Sequence, residues 1–479
     1  MAFYYDRAGW VADITVVLNV FFIIGILASL QSVLTLPGIA GIVLTIATSV
    51  DANVLIYERI REELADGKSL RMAIADGFKH AYSSIIDSNV ATMLLGAILL
   101  WLGTGPIKGF AITLLIGIFT SFFCAVFITR LILDNWLNRD VKITFDRPIT
   151  RNAFKNTHFD FLSRRILFYS VSGFIIAIGI VSMFTRGFSL GVDFKGGRTY
   201  DIEFANPVSA GKVRDALTKT LGSAPEVKTI TGTNRVKITT SLLVDSSSAH
   251  AESTVSEKLQ RGLSSLGNSF KELGHRKVGP TIASDIKNRA IWAILLGITV
   301  VFFYILIRFR RWQFGIAAVV ALAHDVLILL SLFSIFNGLL PFSLEIDQAF
   351  IASVLTVMGY SMLDTVVVFD RVREFMGKSF KEDKGMAGVI NSALNSTLSR
   401  TVITSLTTLS VLLILFIFGG ESLKGFSFAM LIGVIFGTYS SIFVATPIVV
   451  DLIRKDSLKE MEPITVGAGK KNQPKVLVK

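Results

Sequence analysis

The chain has 479 residues, 52% of them hydrophobic, with a mean hydropathy of +0.60 and a formal charge of +12. Its apolar residues fall in long blocks, not periodic stripes, which excludes a water-soluble globular domain and points to a polytopic membrane protein. The single cysteine, Cys124, excludes an intrachain disulfide, and in such a chain a basic excess reports topology, not a nucleic-acid partner.

A transmembrane helix needs about 20 mostly apolar residues. In chain order the sequence predicts ten of them, at 11–30, 36–57, 84–102, 109–133, 166–185, 289–307, 313–336, 348–370, 397–418 and 425–452. Basic residues crowd the connections at 58–79, 139–165, 308–311 and 371–384 and the tail after Arg454. These are the predicted cytoplasmic loops. The short loops "TGPIK", "LLPFSLEID" and "GGESLK" carry few charges or an acidic excess and face outward.

The chain is doubled. A shift of 312 residues lays Val54, Arg59, Arg61 and Glu62 on Val366, Arg371, Arg373 and Glu374, and a shift of 316 lays "IKGFAITLLIGI" on "LKGFSFAMLIGV". Both copies keep one orientation by loop charge, so they are parallel four-helix repeats related by an axis along the membrane normal. The second copy is preceded by a helix, a polar segment and another helix, the first only by "MAFYYDRAGW". Parity predicts an equivalent helix, external domain and most of another helix missing from the first half, either truncated or encoded separately.

Within the polar segment 186–287 the period changes. "RTYDIEF" and "RVKITTSL" alternate as strands, and "VSAGKVRDALTKTL", with Ser209 as its cap, and "STVSEKLQRGLSSL" are amphipathic helices. A small α+β domain of split βαβ type outside the membrane is expected. The predicted organisation is a membrane half at 1–133, a basic cytoplasmic linker at 134–165, a helix at 166–185, the external domain at 186–287, a five-helix bundle at 288–452 and a cytoplasmic tail at 453–479.

A charge at mid-membrane costs on the order of 2.5–3.5 kcal/mol on insertion scales, so such residues face a cavity or a partner and mark a pathway. Asp51, Asp364 and Arg400 qualify. An aspartate there can take and release a proton, and an arginine that stays charged can pair with the ionised acid and be freed from the protonated one. Asp13, Asp87, Asp325 and its neighbour His324 are weaker relay candidates, explained as well by structural hydrogen bonds. The glycines after "KGF" read as close helix packing, and "GVDFKGGRT" lacks the G-x-x-x-x-G-K-[ST] pattern of a phosphate loop. Without that pattern, an H-E-x-x-H pair or paired cysteines, an NTPase or metalloprotease reading has little support, and no cofactor or metal is expected.

These residues carry a resemblance. "LTLPGIAGIVLTIATSVDANVLIYERIREEL" with "GTGPIKGFAIT" resembles the membrane half of SecD, while "GVDFKGG", "VGPTIASDIKNRAI", "ALAHDV", "MLDTVVVFDRVRE" and "SRTVITSLTT" resemble SecF. The chain is thus similar to a fused SecDF, of the RND-type superfamily, lacking the first part of its SecD half. The resemblance implies about ten transmembrane helices in two parallel bundles with one ferredoxin-like extracytoplasmic domain. It also implies an accessory subunit, not an enzyme, that uses the proton or sodium gradient to drive late stages of protein export across the bacterial inner membrane. The implied partners are the SecYEG translocon with the SecA motor and YajC, unfolded exported polypeptide and the lipid bilayer. Asp51 matches the acidic position of the SecD half, and Asp364 and Arg400 match the charged pair of the SecF half. The family usually has asparagine before the second aspartate, where this chain has Leu363. The competing readings are an RND-like exporter of small molecules or lipids and a non-transporting translocon scaffold.

Overall fold

The computed structural model describes residues 1–32, 34–150, 157–229, 233–246, 249–379 and 385–453. Most of the tail predicted from 453, and residues 151–156 of the basic linker, lie outside the described residues. Among the described residues, ten helices are long and apolar enough to cross a membrane. They are α1 (Ala2–Ser29), α2 (Leu36–Ala65), α3 (Leu70–Leu102), α4 (Pro106–Asn138, with a π turn at Cys124–Ile128) and α5 (Arg165–Thr185) in the first part of the chain.

The polar segment follows as β1 (Gly197–Phe204), α6 (Ala210–Leu221), β2 (Glu226–Thr229), β3 (Arg235–Thr240), α7 (Ala249–Ser264) and β4 (Phe270–Val278). The bundle resumes with α8 (Pro280–Phe309), α9 (Trp312–Ile335), α10 (Gln348–Ser379) and α11 (Gly385–Phe418). The last helix, α12, runs through Glu421–Ser440, a π turn at Ser441–Ala445 and Thr446–Leu452.

Several helices outrun the predicted spans. At about 1.5 Å per residue the 32-residue α10 is about 48 Å long, against roughly 30 Å of hydrocarbon. The surplus of α3 and α11 lies at the basic end, where an amphipathic sequence continues the helix after the apolar block stops. In α3 that extension buries Ala73, Ile74, Gly77, Phe78 and Ala81. A Cβ on Gly77 would lie 2.4 Å from the Ile60 side chain, so the glycine lets α3 close against α2.

The two repeats, α1–α4 and α9–α12, are related by a pseudo-twofold along the helices. Helix α2 packs on α11, and its counterpart α10 packs on α3. At the basic end Arg59 pairs with its own Glu62 (2.9 Å) and with Glu374 (3.2 Å), while Arg371 pairs with its own Glu374 (2.9 Å) and with Glu62 (2.6 Å). At the opposite end Phe110 and Phe426, equivalent at the 316 shift, meet edge to face with ring centroids 5.8 Å apart. Residues that meet their own equivalents lie on the axis. Inside the repeats the correspondence extends to single contacts: Thr129 and Thr446 each donate across their π turn, to Cys124 O (3.2 Å) and Ser441 O (2.9 Å). Gly117 faces Thr45 and Gly433 faces Val357 so closely that a Cβ would lie 2.3 and 2.0 Å from them.

The polar segment forms a four-stranded antiparallel sheet of order β2-β3-β1-β4, the ferredoxin-like arrangement. Alternate residues of β1, Tyr200, Ile202 and Phe204, pack under Val213 and Leu217 of α6 and Val255 of α7. Ser209 caps α6, accepting from Lys212 N at 3.4 Å. Gly196 and Gly197, at φ of 74° and 143°, turn the chain from the short helical turn Val192–Lys195 into β1, a path closed to other residues. That explains the paired glycines of "GVDFKGG" without a ligand.

The sheet is joined to the bundle by the α9–α10 loop. Ser189–Leu190 pairs in parallel with Glu345–Ile346, and Glu345 accepts from Lys228 of β2 (2.6 Å) and Lys237 of β3 (3.4 Å). The Asp193 carboxylate accepts from Gln348 N (3.3 Å) at the start of α10.

Candidate functional site in the membrane bundle

Helices α2, α10 and α11 place three charged side chains inside the bundle. Asp51 is 3% exposed, Asp364 fully buried and Arg400 5% exposed. Arg400 is within electrostatic reach of both acids, and the acids are within reach of each other. No hydrogen bond joins them. The three guanidinium nitrogens, both oxygens of Asp51 and Oδ1 of Asp364 lack a hydrogen-bond partner among the described residues. Oδ2 of Asp364 accepts from Thr438 Oγ1 of α12 at 3.3 Å.

An arginine committed to one carboxylate makes a bidentate pair. Here it acts on two without a hydrogen bond to either, in a region where pairing matters far more than in water. With both acids ionised the trio carries one negative charge, and one proton makes it neutral. The proton's choice of acid decides which partner attracts the arginine.

Helix α10 is suited to hold one member rigidly, because its membrane window is 94% buried, more than that of any other spanning helix among the described residues. The sequence puts Asp51 level with Leu363, not Asp364, at the 312 shift, so the two acids are one residue out of register and about 100° apart around their helices. The site is therefore asymmetric although the scaffold is doubled.

The other sequence candidates lie apart from the trio. Asp87 of α3 pairs with Arg308 of α8 (2.5 Å) and accepts from Tyr304, while Arg308 also reaches Asp370 (3.5 Å) at the basic end. His324 and Asp325 of α9 form a satisfied buried cluster. His324 Nδ1 lies 2.9 Å from Asp325 Oδ1 and its Nε2 3.0 Å from Ser172 of α5, and Asp325 Oδ2 accepts from Ser361 (2.6 Å) and Ser440 (2.9 Å). Asp13 of α1 is partly exposed and accepts from Ala2 N.

Sequence reasoning aligned Arg59 with Arg371 in two basic connections and missed their exchange across the axis. The signal was present, since a repeat that aligns Arg-x-x-Glu with itself in parallel copies allows reciprocal pairing. The hydroxyls of Thr438, Ser405 and Tyr360 were also missed, because a lone serine or threonine in a spanning helix carries no distinguishing pattern.

Comparison with known proteins fits this architecture. The family profile described as Protein export membrane protein SecD/SecF, C-terminal, matches residues 1–139 and 258–455, and the SecD/SecF GG motif matches 181–208. The protein translocase subunit SecF of Rhodothermus marinus is 48% identical over 304 residues, covering 62% of this chain and 94% of that protein. The protein translocase subunits SecDF of Brucella abortus and Bacillus subtilis are 33% and 32% identical, each over 94% of this chain, which spans 58% and 61% of their lengths. The crystal structure of SecDF from Thermus thermophilus, titled a translocon-associated membrane protein, superposes with a TM-score of 0.82 at 34% identity, over 94% of this chain and 59% of that one. SecDF in its super-membrane-facing form gives 0.72 over the same shares. This multi-pass membrane protein belongs to the SecD/SecF protein-export membrane protein family.

Proposed function

We propose that the chain is the ion-coupled membrane part of a protein-export accessory that works beside the SecYEG translocon with SecA and YajC in the bacterial inner membrane. Protons, or sodium in their place, exchange at Asp51 and Asp364, Arg400 follows the ionised acid, and the shift in pairing repacks α2, α10 and α11. The start of α10 carries that movement to the outer domain through Asp193 and Glu345, and the domain acts on emerging unfolded polypeptide. Movement of one charge through the membrane potential supplies roughly 2.3 kcal/mol per 100 mV, enough to bias a two-state packing.

The observation that carries this reading is the uncommitted Arg400, with three buried nitrogens unpartnered and two buried acids within its electrostatic reach. A merely structural arginine would be saturated. Export of a model preprotein is to be followed in membrane vesicles with the gradient intact and collapsed. Asp364→Asn keeps the side chain's volume and is expected to remove the gradient-dependent component while leaving the gradient-independent one. Undiminished gradient dependence in Asp364→Asn would overturn the proposal and favour a scaffold.

A further inference from the structure

Asp364 ends a file of hydroxyls. Thr438 donates to its Oδ2 at 3.3 Å, Ser405 Oγ of α11 lies 2.7 Å from Thr438 Oγ1, and the Tyr360 hydroxyl of α10 donates to Ser405 at 3.5 Å. An ionised carboxylate only accepts, and each hydroxyl has a single hydrogen. With Thr438 donating to Asp364, Ser405 must donate to Thr438, so all three hydrogens point one step toward the acid. Tyr360 and Ser405 are buried.

The file runs toward the outer end. Tyr360 stands one turn before Asp364 on a helix that starts at that end, and Ser405 stands past Arg400 on a helix that finishes there. Thr408, in the next turn of α11, lies beside the Tyr360 hydroxyl. The first repeat cannot form the same file, because the equivalent of Ser405, its middle member, is Met93, which has no hydroxyl. Asp51 accordingly has neither oxygen hydrogen-bonded.

We propose that Tyr360, Ser405 and Thr438 form the outer limb of the relay, passing protons and not sodium, so that Asp364 is the acid that exchanges with the outer side and Asp51 is reached only through it. This deepens the ion-coupled reading and rests on it. A hydroxyl both donates and accepts, so a proton arriving behind Tyr360 releases the phenol's own hydrogen to Ser405. Ser405 passes its hydrogen to Thr438 and Thr438 passes its own to Asp364 Oδ2, after which the hydroxyls rotate back. One proton enters, one reaches the carboxylate, and each hydroxyl is restored. Sodium needs a shell of oxygens in place of its water, and the direct contact between Ser405 and Thr438 leaves no space for one.

The test is initial proton uptake by liposomes carrying the chain under an imposed pH gradient, in light and heavy water, with sodium uptake measured in parallel. Ser405→Ala and Thr438→Val are expected to slow proton uptake by about a hundredfold and to abolish its solvent isotope effect. Ser405→Thr and Thr438→Ser, which keep the hydroxyl, are expected to retain both. Asp364→Asn is the control for the underlying reading. Uptake lost in Asp364→Asn but normal in Ser405→Ala and Thr438→Val would overturn the file alone. Equal loss in the hydroxyl-keeping variants would also overturn it, by making packing the cause, and sodium uptake in place of proton uptake would overturn the ion assignment. Absence of uptake in the wild-type chain, or normal uptake in Asp364→Asn, would overturn the ion-coupled reading together with the file.

Discussion

Glu345→Gln should loosen the ferredoxin-like domain from the bundle. Burial opposes ionisation of Glu345, but Lys237 and Lys228, with hydrogen bonds from Lys228 and Ser343, overcome it and hold the carboxyl at about 2 in place of 4.5. At ~1.36 kcal/mol per tenfold change, that difference is worth about 3 kcal/mol to the joint. Because the value in the folded protein is the lower one, the contribution is complete above about pH 4.5 and is lost as pH falls toward 2. Glutamine keeps the volume and removes the charge at every pH. The readout is hydrogen exchange of the Gly191 amide, which donates to Ile346 O (3.0 Å) within the joint. Exchange should be about a hundredfold faster in Glu345→Gln at neutral pH, and the wild type should approach the variant below about pH 3. Glu226→Gln, which removes a half-exposed partner of Lys228 at 2.9 Å, should change little. An acceleration below about threefold in Glu345→Gln would refute the reasoning, since the buried charge would then contribute under about 0.7 kcal/mol.

Asp347 behaves in the opposite sense. Burial, with Asp193 and Glu345 nearby, raises its carboxyl to about 6 against the hydrogen bond from Phe350 N. Ionised Asp347 is therefore a strain that grows as pH rises from about 4 to 6. Asp347→Asn, which can still accept from Phe350 N, should raise the melting temperature at pH 7.5 and leave it unchanged at pH 4. The axial ion-pair square gives a symmetric test: double-mutant cycles for Arg59 with Glu374 and for Arg371 with Glu62 should yield coupling energies of about 1 kcal/mol that agree within about 0.5 kcal/mol. Coupling in one pair only would mean that the pseudo-twofold does not extend to the basic end.

The membrane architecture was legible because the bilayer imposes a length and a polarity on every span, and the repeat because loop charge and "KGF" recur in phase. The ends of α3, α8 and α11 were not legible. Hydropathy marks only the lipid-facing block, while residues such as Gly77 are held by a neighbour, Ile60, that no local window contains. Asp51, Asp364 and Arg400 stood out as charges in apolar runs, and the structure brings them within reach of one another. Their unequal surroundings were hidden. Thr438 and Ser405 lie 74 and 41 residues from Asp364 in sequence and acquire meaning only when α10, α11 and α12 pack together. For Asp87 the missing information was its partner, since Arg308 sits 221 residues away.

The proposed coupling of the gradient to movement of the ferredoxin-like domain can be measured directly. With the buried Cys124 replaced by serine, cysteines at Lys219 on α6 and Leu30 at the C-terminal end of α1, both exposed, carry a distance probe in liposomes. Imposing a pH gradient should change the distance between them in the wild-type background and leave it fixed in Asp364→Asn. The same distance change in both proteins, or none in either, would contradict a domain driven by protonation of Asp364.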